Sequence, residues 1–190
     1  MTTKPVSVGS LKKGNYVVIE GAACIVSDTQ TSRPGKHGHA KVRLTAVGMV
    51  DGKKRVIVLP GHDNIDAPIV EKKIANVLSI SDDTANVMDN ETYEQPAINA
   101  SIMGDSILYL KEGLEVKLTF YGTEPLDIEL PTAVELEVVE AEMAVKGDTA
   151  TGANKSVTTE TGLKVTVPLF VETGDVIRID TRTGEYVTRV

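Results

Sequence analysis

The residues best equipped for chemistry lie in one stretch, Asp28–Ala40, DTQTSRPGKHGHA. It holds no large apolar side chain, so it has little to bury. It is expected to project between a strand at Ala22–Ser27 and another starting at Lys41. Pro34 and Gly35 favour a tight turn just before Lys36, and Gly38 follows two residues later. Lys36 therefore falls near the tip of a hairpin extension, flanked by His37 and His39. Arg33, Lys41 and Arg43 add positive charge at the tip and along its base. A phosphate-binding loop would need G-x-x-x-x-G-K followed by Ser or Thr; that motif is absent, and His37 stands in the place of the hydroxyl. A Schiff-base lysine needs an apolar pocket to lower its pKa, which an exposed glycine-rich tip does not offer. Zinc on His37 and His39 would need further ligands, and His62 is the only other histidine. No metal set and no catalytic residue is assigned. The residues leave two readings open, contact with a phosphate backbone or a solvated basic loop with no special role.

The elements around this loop read as strands. The chain has 190 residues, of which 25 Val, 13 Ile and 20 Thr are β-branched, and such side chains pack well on a pleated sheet. Val42, Leu44 and Ala46 alternate with Lys41, Arg43 and Thr45; Val134, Leu136 and Val138 alternate with Glu135 and Glu137; Ile177 and Ile179 alternate with Arg178 and Asp180. A period of two marks half-buried antiparallel strands. Asp51-Gly52 between two such runs predicts a type I′ hairpin. No long stretch keeps a period of 3.6, so helices should be short. With 2 Phe, 5 Tyr and no Trp, one large core is disfavoured and several small β-barrels are expected.

One pattern occurs three times: Leu11-Lys-Lys-Gly14-Asn-Tyr-Val17-Val-Ile19, Leu110-Lys-Glu-Gly113-Leu-Glu-Val116-Lys-Leu118 and Val171-Glu-Thr-Gly174-Asp-Val-Ile177-Arg-Ile179. Each glycine would allow a sharp turn into a strand. This reads either as three barrels in series or as a turn common in all-β proteins. Asn64–Pro68 and Glu129-Leu130-Pro131 are the expected joints, giving modules 1–64, 65–128 and 129–190. Gly147–Gly162, small and polar, reads as a long loop in the third.

Charge divides along the same lines. The net charge of −7 argues against a wholly basic nucleic-acid binder and against a polybasic membrane anchor. Split by module, however, it becomes +6, −8 and −5, which suggests contact with nucleic acid through one end only. No apolar run approaches the ~20 residues of a membrane span, and the N-terminus has no signal-like apolar stretch. The single cysteine, Cys24, can form neither an internal disulfide nor a cysteine zinc site. A reduced, cytoplasmic protein with no membrane partner is expected.

Thr31-Ser32-Arg33-Pro34-Gly35-Lys36-His37-Gly38-His39-Ala40-Lys41-Val42 resembles the hypusine loop of eukaryotic and archaeal translation initiation factor five A, whose signature is G-K-H-G-H-A-K. Further along, Met88–Gln95, Ile128–Pro131, Val134–Glu140, Lys146–Ala150, Val167–Phe170 and Asp180–Val187 resemble bacterial elongation factor P. Initiation factor five A lacks the third domain, so the architecture resembles elongation factor P. At the tip that family commonly has Pro-Gly-Lys-Gly and a small residue, where this chain has Pro34-Gly35-Lys36-His37.

The resemblance implies an all-β chain of three small barrels in series, an SH3-like (KOW-type) barrel followed by two OB-folds, with an L-shaped, tRNA-like outline. It implies a monomeric factor without enzymatic activity of its own and without a cofactor. That factor would bind the ribosome, both rRNA and ribosomal proteins, between the P and E sites beside the P-site peptidyl-tRNA. Arg33, Gly35, Lys36, His37, Gly38, His39, Lys41 and Arg43 would meet RNA, and Lys36 would reach the peptidyl-transferase centre. Arg182, Gly184 and Tyr186 would contact ribosome or tRNA from the third domain. The implied function is rescue of ribosomes stalled at consecutive prolines. Lys36 would carry deoxyhypusine or hypusine, installed by deoxyhypusine synthase, or a β-lysyl group from another modifying enzyme. The alternative is an OB/KOW RNA-binding adaptor with no part in peptidyl transfer.

Overall fold

Period-two alternation becomes strand wherever one face is covered. The computed structural model describes residues 2–35, 38–143 and 153–190. Its strands are β1 (Thr3–Ser7), β2 (Tyr16–Ile19), β3 (Ala22–Ser32), β4 (Lys41–Gly48), β5 (Lys54–Pro60), β6 (Asn64–Pro68), β7 (Glu71–Ser81), β8 (Thr84–Asp89), β9 (Ala97–Asn99), β10 (Glu115–Tyr121), β11 (Glu124–Glu129), β12 (Ala133–Ala141), β13 (Asn154–Thr159), β14 (Lys164–Pro168), β15 (Val176–Asp180) and β16 (Tyr186–Arg189). Among the described residues the α-helix is a single turn, α1 (Ala100–Met103), capped by the Asn99 side chain on the Ser101 amide. The sheets run β2-β3-β4-β5, β1-β6, β11-β10-β7-β8-β9 and β14-β13-β12-β15-β16. These are curled sheets of small β-barrels.

The chain divides into two compact units, residues 1–73 with 118–128, and residues 74–117 with 129–190. In the first, Val17, Cys24, Val26, Val42, Leu44 and Ala46 form a core, with a satellite at Ala23, Tyr121 and Leu126. In the second, Val134, Leu136, Val138, Ile177 and Ile179 form the centre, as their alternation predicted. Each such side chain contributes ~1.5–3 kcal/mol when fully buried.

The thrice-repeated pattern is one structure built three times. Gly14, Gly113 and Gly174 sit at φ of 91°, 81° and 92°, a region that L side chains rarely adopt. Each glycine amide donates to a buried valine carbonyl, of Val26, Val77 and Val138 respectively, at 2.8 Å in all three cases. Each valine amide donates back to the residue after the glycine, Asn15, Leu114 or Asp175. Each of these valines also begins a β-bulge in the ladder to the next strand. A bulge adds twist, and a pinned turn at that point helps to curl the sheet.

Four local expectations need correction. The strand before the lysine loop does not end at Ser27: β3 runs on to Ser32, because Asp28–Ser32 pair with Lys41–Thr45 although neither face is apolar. Asn64–Pro68, expected as a joint, is not irregular chain: it forms strand β6, paired with β1. Gly52 has φ +64°, but Asp51 is not left-handed, so the turn is not type I′. Met49–Lys53 forms a five-residue loop instead, with the Gly52 amide on the Gly48 carbonyl. Within Gly147–Gly162 the described part contains β13, which buries Val157 and Thr159 between β12 and β14; residues 147–152 lie outside the described residues.

Candidate nucleic-acid interface

The lysine loop joins β3 to β4, and β5 flanks β4 up to the loop's base through Lys41↔Pro60. On the loop side of the bulge, β3 and β4 stay in register through Thr29↔Leu44, Gln30↔Arg43, Thr31↔Val42 and Ser32↔Lys41. Directly paired residues share a face, so Arg43 projects with Gln30 and, across the β4–β5 ladder, with Val58. Lys41 projects with Ser32 and Pro60, while Val42 and Leu44 turn into the core. The structure thus brings Lys41 and Arg43 together on one exposed face, with Arg33 one residue past the end of β3. Among the described residues these three cations have neither hydrogen-bond nor ion-pair partners through their side chains.

Backbone geometry shapes the tip. Gly35 has φ +67°. A Cβ on Gly38 would lie 1.8 Å from the Pro34 carbonyl oxygen, so only glycine lets the two limbs approach this closely. The His39 ring meets the His62 ring edge-on, with centroids 5.3 Å apart. Lys36 and His37 lie outside the described residues, so the structure places the loop's limbs and base. Among the described residues, no group of three or more His, Cys, Asp or Glu is arranged to hold a metal.

The C-terminal candidates occupy the turn from β15 to β16. Asp180 Oδ1 accepts the Arg182 amide at 2.8 Å, and its Oδ2 accepts Arg182 Nη2 at 2.6 Å. The Arg182 guanidinium holds the Asp180 carboxyl down at about 2, helped by that amide. Gly184, at φ +74°, donates its amide to the Asp180 carbonyl at 2.8 Å. A Cβ on Gly184 would lie 3.0 Å from the Tyr109 hydroxyl. Tyr186 packs against the core rather than projecting with Arg182. The turn therefore exposes Arg182 and uses Gly184 and Tyr186 inwardly.

Three family descriptions match in succession: "Translation initiation factor 5A-like, N-terminal" over residues 1–62, "Elongation factor P (EF-P) OB domain" over 70–128, and "Elongation factor P, C-terminal" over 134–189. The chain is 40% identical over 184 residues to elongation factor P of Desulfotalea psychrophila, covering 97% of this chain and 98% of that one. It is 41% identical over 185 residues to that of Alkaliphilus metalliredigens, covering 97% and 100%. The chain belongs to the elongation factor P family. A solved structure of eukaryotic translation initiation factor 5A from Methanococcus jannaschii also resembles it, with TM-score 0.57 and 35% identity, covering 68% of this chain and 92% of that one.

Membership of the elongation factor P family makes the chain a translation factor rather than an enzyme. No helix among the described residues is long and apolar enough to cross a membrane. Within this family member, sequence reasoning overlooked three supporting groups. Asp180, two residues before Arg182, carried a signal in the Asp-Thr-Arg-Thr-Gly turn composition. His62 and Tyr109 carried none, because their partners are distant in sequence.

Proposed function

We propose that this chain acts as a ribosome-bound elongation factor that positions peptidyl-tRNA through Lys36. The observation that carries this reading is the exposed sheet face at the base of the loop, which presents Arg33, Lys41 and Arg43 without partners among the described residues. Cations left unpaired at the base of an exposed loop suit an RNA partner, whose phosphates and 2′-hydroxyls supply the counter-groups. The factor binds between the P and E sites beside the P-site tRNA, with Lys36 directed at the peptidyl-transferase centre. Peptide transfer to proline is slow. Holding the peptidyl-tRNA in an attack geometry recovers part of the entropic cost of aligning the reactants, since effective molarity supplies at best ~7–11 kcal/mol. The factor is thus an entropy trap for the ribosome's own chemistry.

The chain works as a cytoplasmic monomer of three modules, 1–64, 65–128 and 129–190. The succession of family matches and the thrice-built glycine turn support this division. The acidic second and third modules hold orientation and limit non-specific adsorption to RNA, and Arg182 offers a contact from the third. Lys36 is the modification site, and a hypusine-type or β-lysyl extension would lengthen its reach. Translation of a Pro-Pro-Pro reporter tests the reading: Lys36→Ala protein should leave the stall unrelieved. Relief equal to that by the unaltered protein would overturn it. The intact mass of protein from its natural host separates deoxyhypusine or hypusine from a β-lysyl group and from unmodified lysine.

A further inference from the structure

The limb of the loop that follows Lys36 is held by more than its own ladder. The last paired residues of β4 and β5 are Lys41 and Pro60. The same antiparallel register continues past both strand ends: the Gly61 amide donates to the Ala40 carbonyl at 2.7 Å, and His39 and His62 meet as the next cross-strand pair. Pro60–Asp63 closes as a turn, with the Asp63 amide on the Pro60 carbonyl at 3.1 Å. That turn is fastened from behind. The Gly9 amide donates to the Gly61 carbonyl at 3.1 Å and the Val8 amide to the Asp63 carbonyl at 2.9 Å. Gly9 must be glycine for this, since a Cβ there would lie 2.8 Å from the Gly61 oxygen.

We propose that the Pro60–Asp63 turn is a bracket that positions the lysine loop, with His62 as its positioning residue. This rests on the reading that Lys36 acts at the ribosome. The route is short: the barrel fixes Val8 and Gly9, these fix Gly61, Gly61 holds Ala40, and His62 packs on His39, three residues along the chain from Lys36. Exposed loops built of small and polar residues pay conformational entropy when they are ordered by a ligand. A bracket that orders one limb beforehand lowers that cost. The His62 side chain is two-thirds exposed, so the barrel does not need it for its core.

The full-length protein tests the bracket by amide exchange at Gly61, whose proton sits on Ala40, alongside the Pro-Pro-Pro reporter. His62→Ala is expected to speed Gly61 exchange about tenfold and to cut stall relief about threefold or more, with Tm unchanged. His62→Phe, which keeps a ring against His39, should restore both. Gly9→Ala, which displaces Gly61 from behind, should also speed exchange at Gly61. Unchanged Gly61 exchange in His62→Ala overturns the bracket. Faster exchange with full stall relief overturns its role in positioning, provided Lys36→Ala fails in the same assay. If Lys36→Ala relieves the stall normally, the reading of Lys36 has failed and the positioning role fails with it; Gly61 exchange then decides only whether the turn holds the loop.

Discussion

Strand β4 ends in two turns of opposite character. Beyond its C-terminal end, Asp51 grips Arg55 through two contacts, at 2.7 and 3.1 Å, and also accepts the Lys53 amide. Arg55 further meets the Lys53 carbonyl and Glu20, and its side chain is only 14% exposed. Around its N-terminal end, Arg33, just past β3, and Lys41 and Arg43, in the first residues of β4, meet no partner among the described residues. The two ends lie on the same strand and carry similar cations, yet one spends its charge internally and the other presents it. A sum of charges counts Arg55 and Arg43 alike; local pairing separates a structural arginine from one available to a ligand.

The sharpest way to break this contrast uses a glycine at each end. Gly38 would place a Cβ 1.8 Å from the Pro34 backbone oxygen, which cannot move without reshaping the loop. Gly48 would place one 1.9 Å from Asp51 Oδ1 and 2.7 Å from Arg55 Nη1, which are side-chain atoms able to swing away. Gly38→Ala is expected to reduce stall relief on the order of tenfold to a hundredfold, as small misplacements of a positioning group do, with Tm unchanged. Gly48→Ala should instead lower Tm by a few degrees, through overpacking of ~1–3 kcal/mol, with stall relief intact. Equal loss of function in both variants would show that the two ends are not separable.

A second test removes the cations themselves. Lys41→Ala with Arg43→Ala should weaken ribosome binding and flatten its dependence on salt by about one to two units of slope, because two phosphate contacts are lost. Thermal stability should hold, since both side chains are exposed. Arg55→Ala should do the reverse, lowering Tm while leaving the salt dependence of binding unchanged. A changed salt slope in Arg55→Ala would mean that this arginine also reaches RNA.

Much of the barrel scaffold was legible because its signal is local. Val42, Leu44 and Ala46 announce an inward face, and the Gly14, Gly113 and Gly174 patterns announce a turn that only a left-handed residue completes. What escaped notice depends on partners far along the chain or on polar strands. Asp28–Ser32 has no apolar face, and its strand exists because Lys41–Thr45 lie opposite. Asn154–Thr159 offers Val157 as its one large apolar residue and is strand because it fills the place between β12 and β14. The family of the loop was readable from its unusual run of residues. The support beneath it was not, because His62 and Gly61 gain meaning only when the β4–β5 register is known. Gly184 likewise reads as a surface contact in the sequence, whereas in the fold a Cβ there would meet the Tyr109 hydroxyl.

The smallest expected effect concerns acid. Asp51 is held at about 2 by the Arg55 guanidinium first and the Lys53 amide second; Asp180 is held at about 2 by Arg182, through its guanidinium and then its amide. Both carboxyls lie below the ordinary value of 3.8, so the folded state favours their charged forms. Their stabilising contribution is therefore complete above about pH 4, and it is lost as pH falls through about 4 towards 2. Both pairs are reached by solvent, so added salt should shrink the effect. The contrast between the ends of β4 predicts that Asp51→Asn flattens the fall in stability over this window, whereas Lys41→Ala with Arg43→Ala leaves it unaltered. Carboxyl titration followed by NMR gives the finer reading. In Arg55→Ala the Asp51 carboxyl should rise only part of the way to 3.8, because the Lys53 amide still donates to it. A full return to the ordinary value would mean that Arg55 also builds the loop that presents that amide, and that this end of β4 is folded around its charge pair rather than merely closed by it.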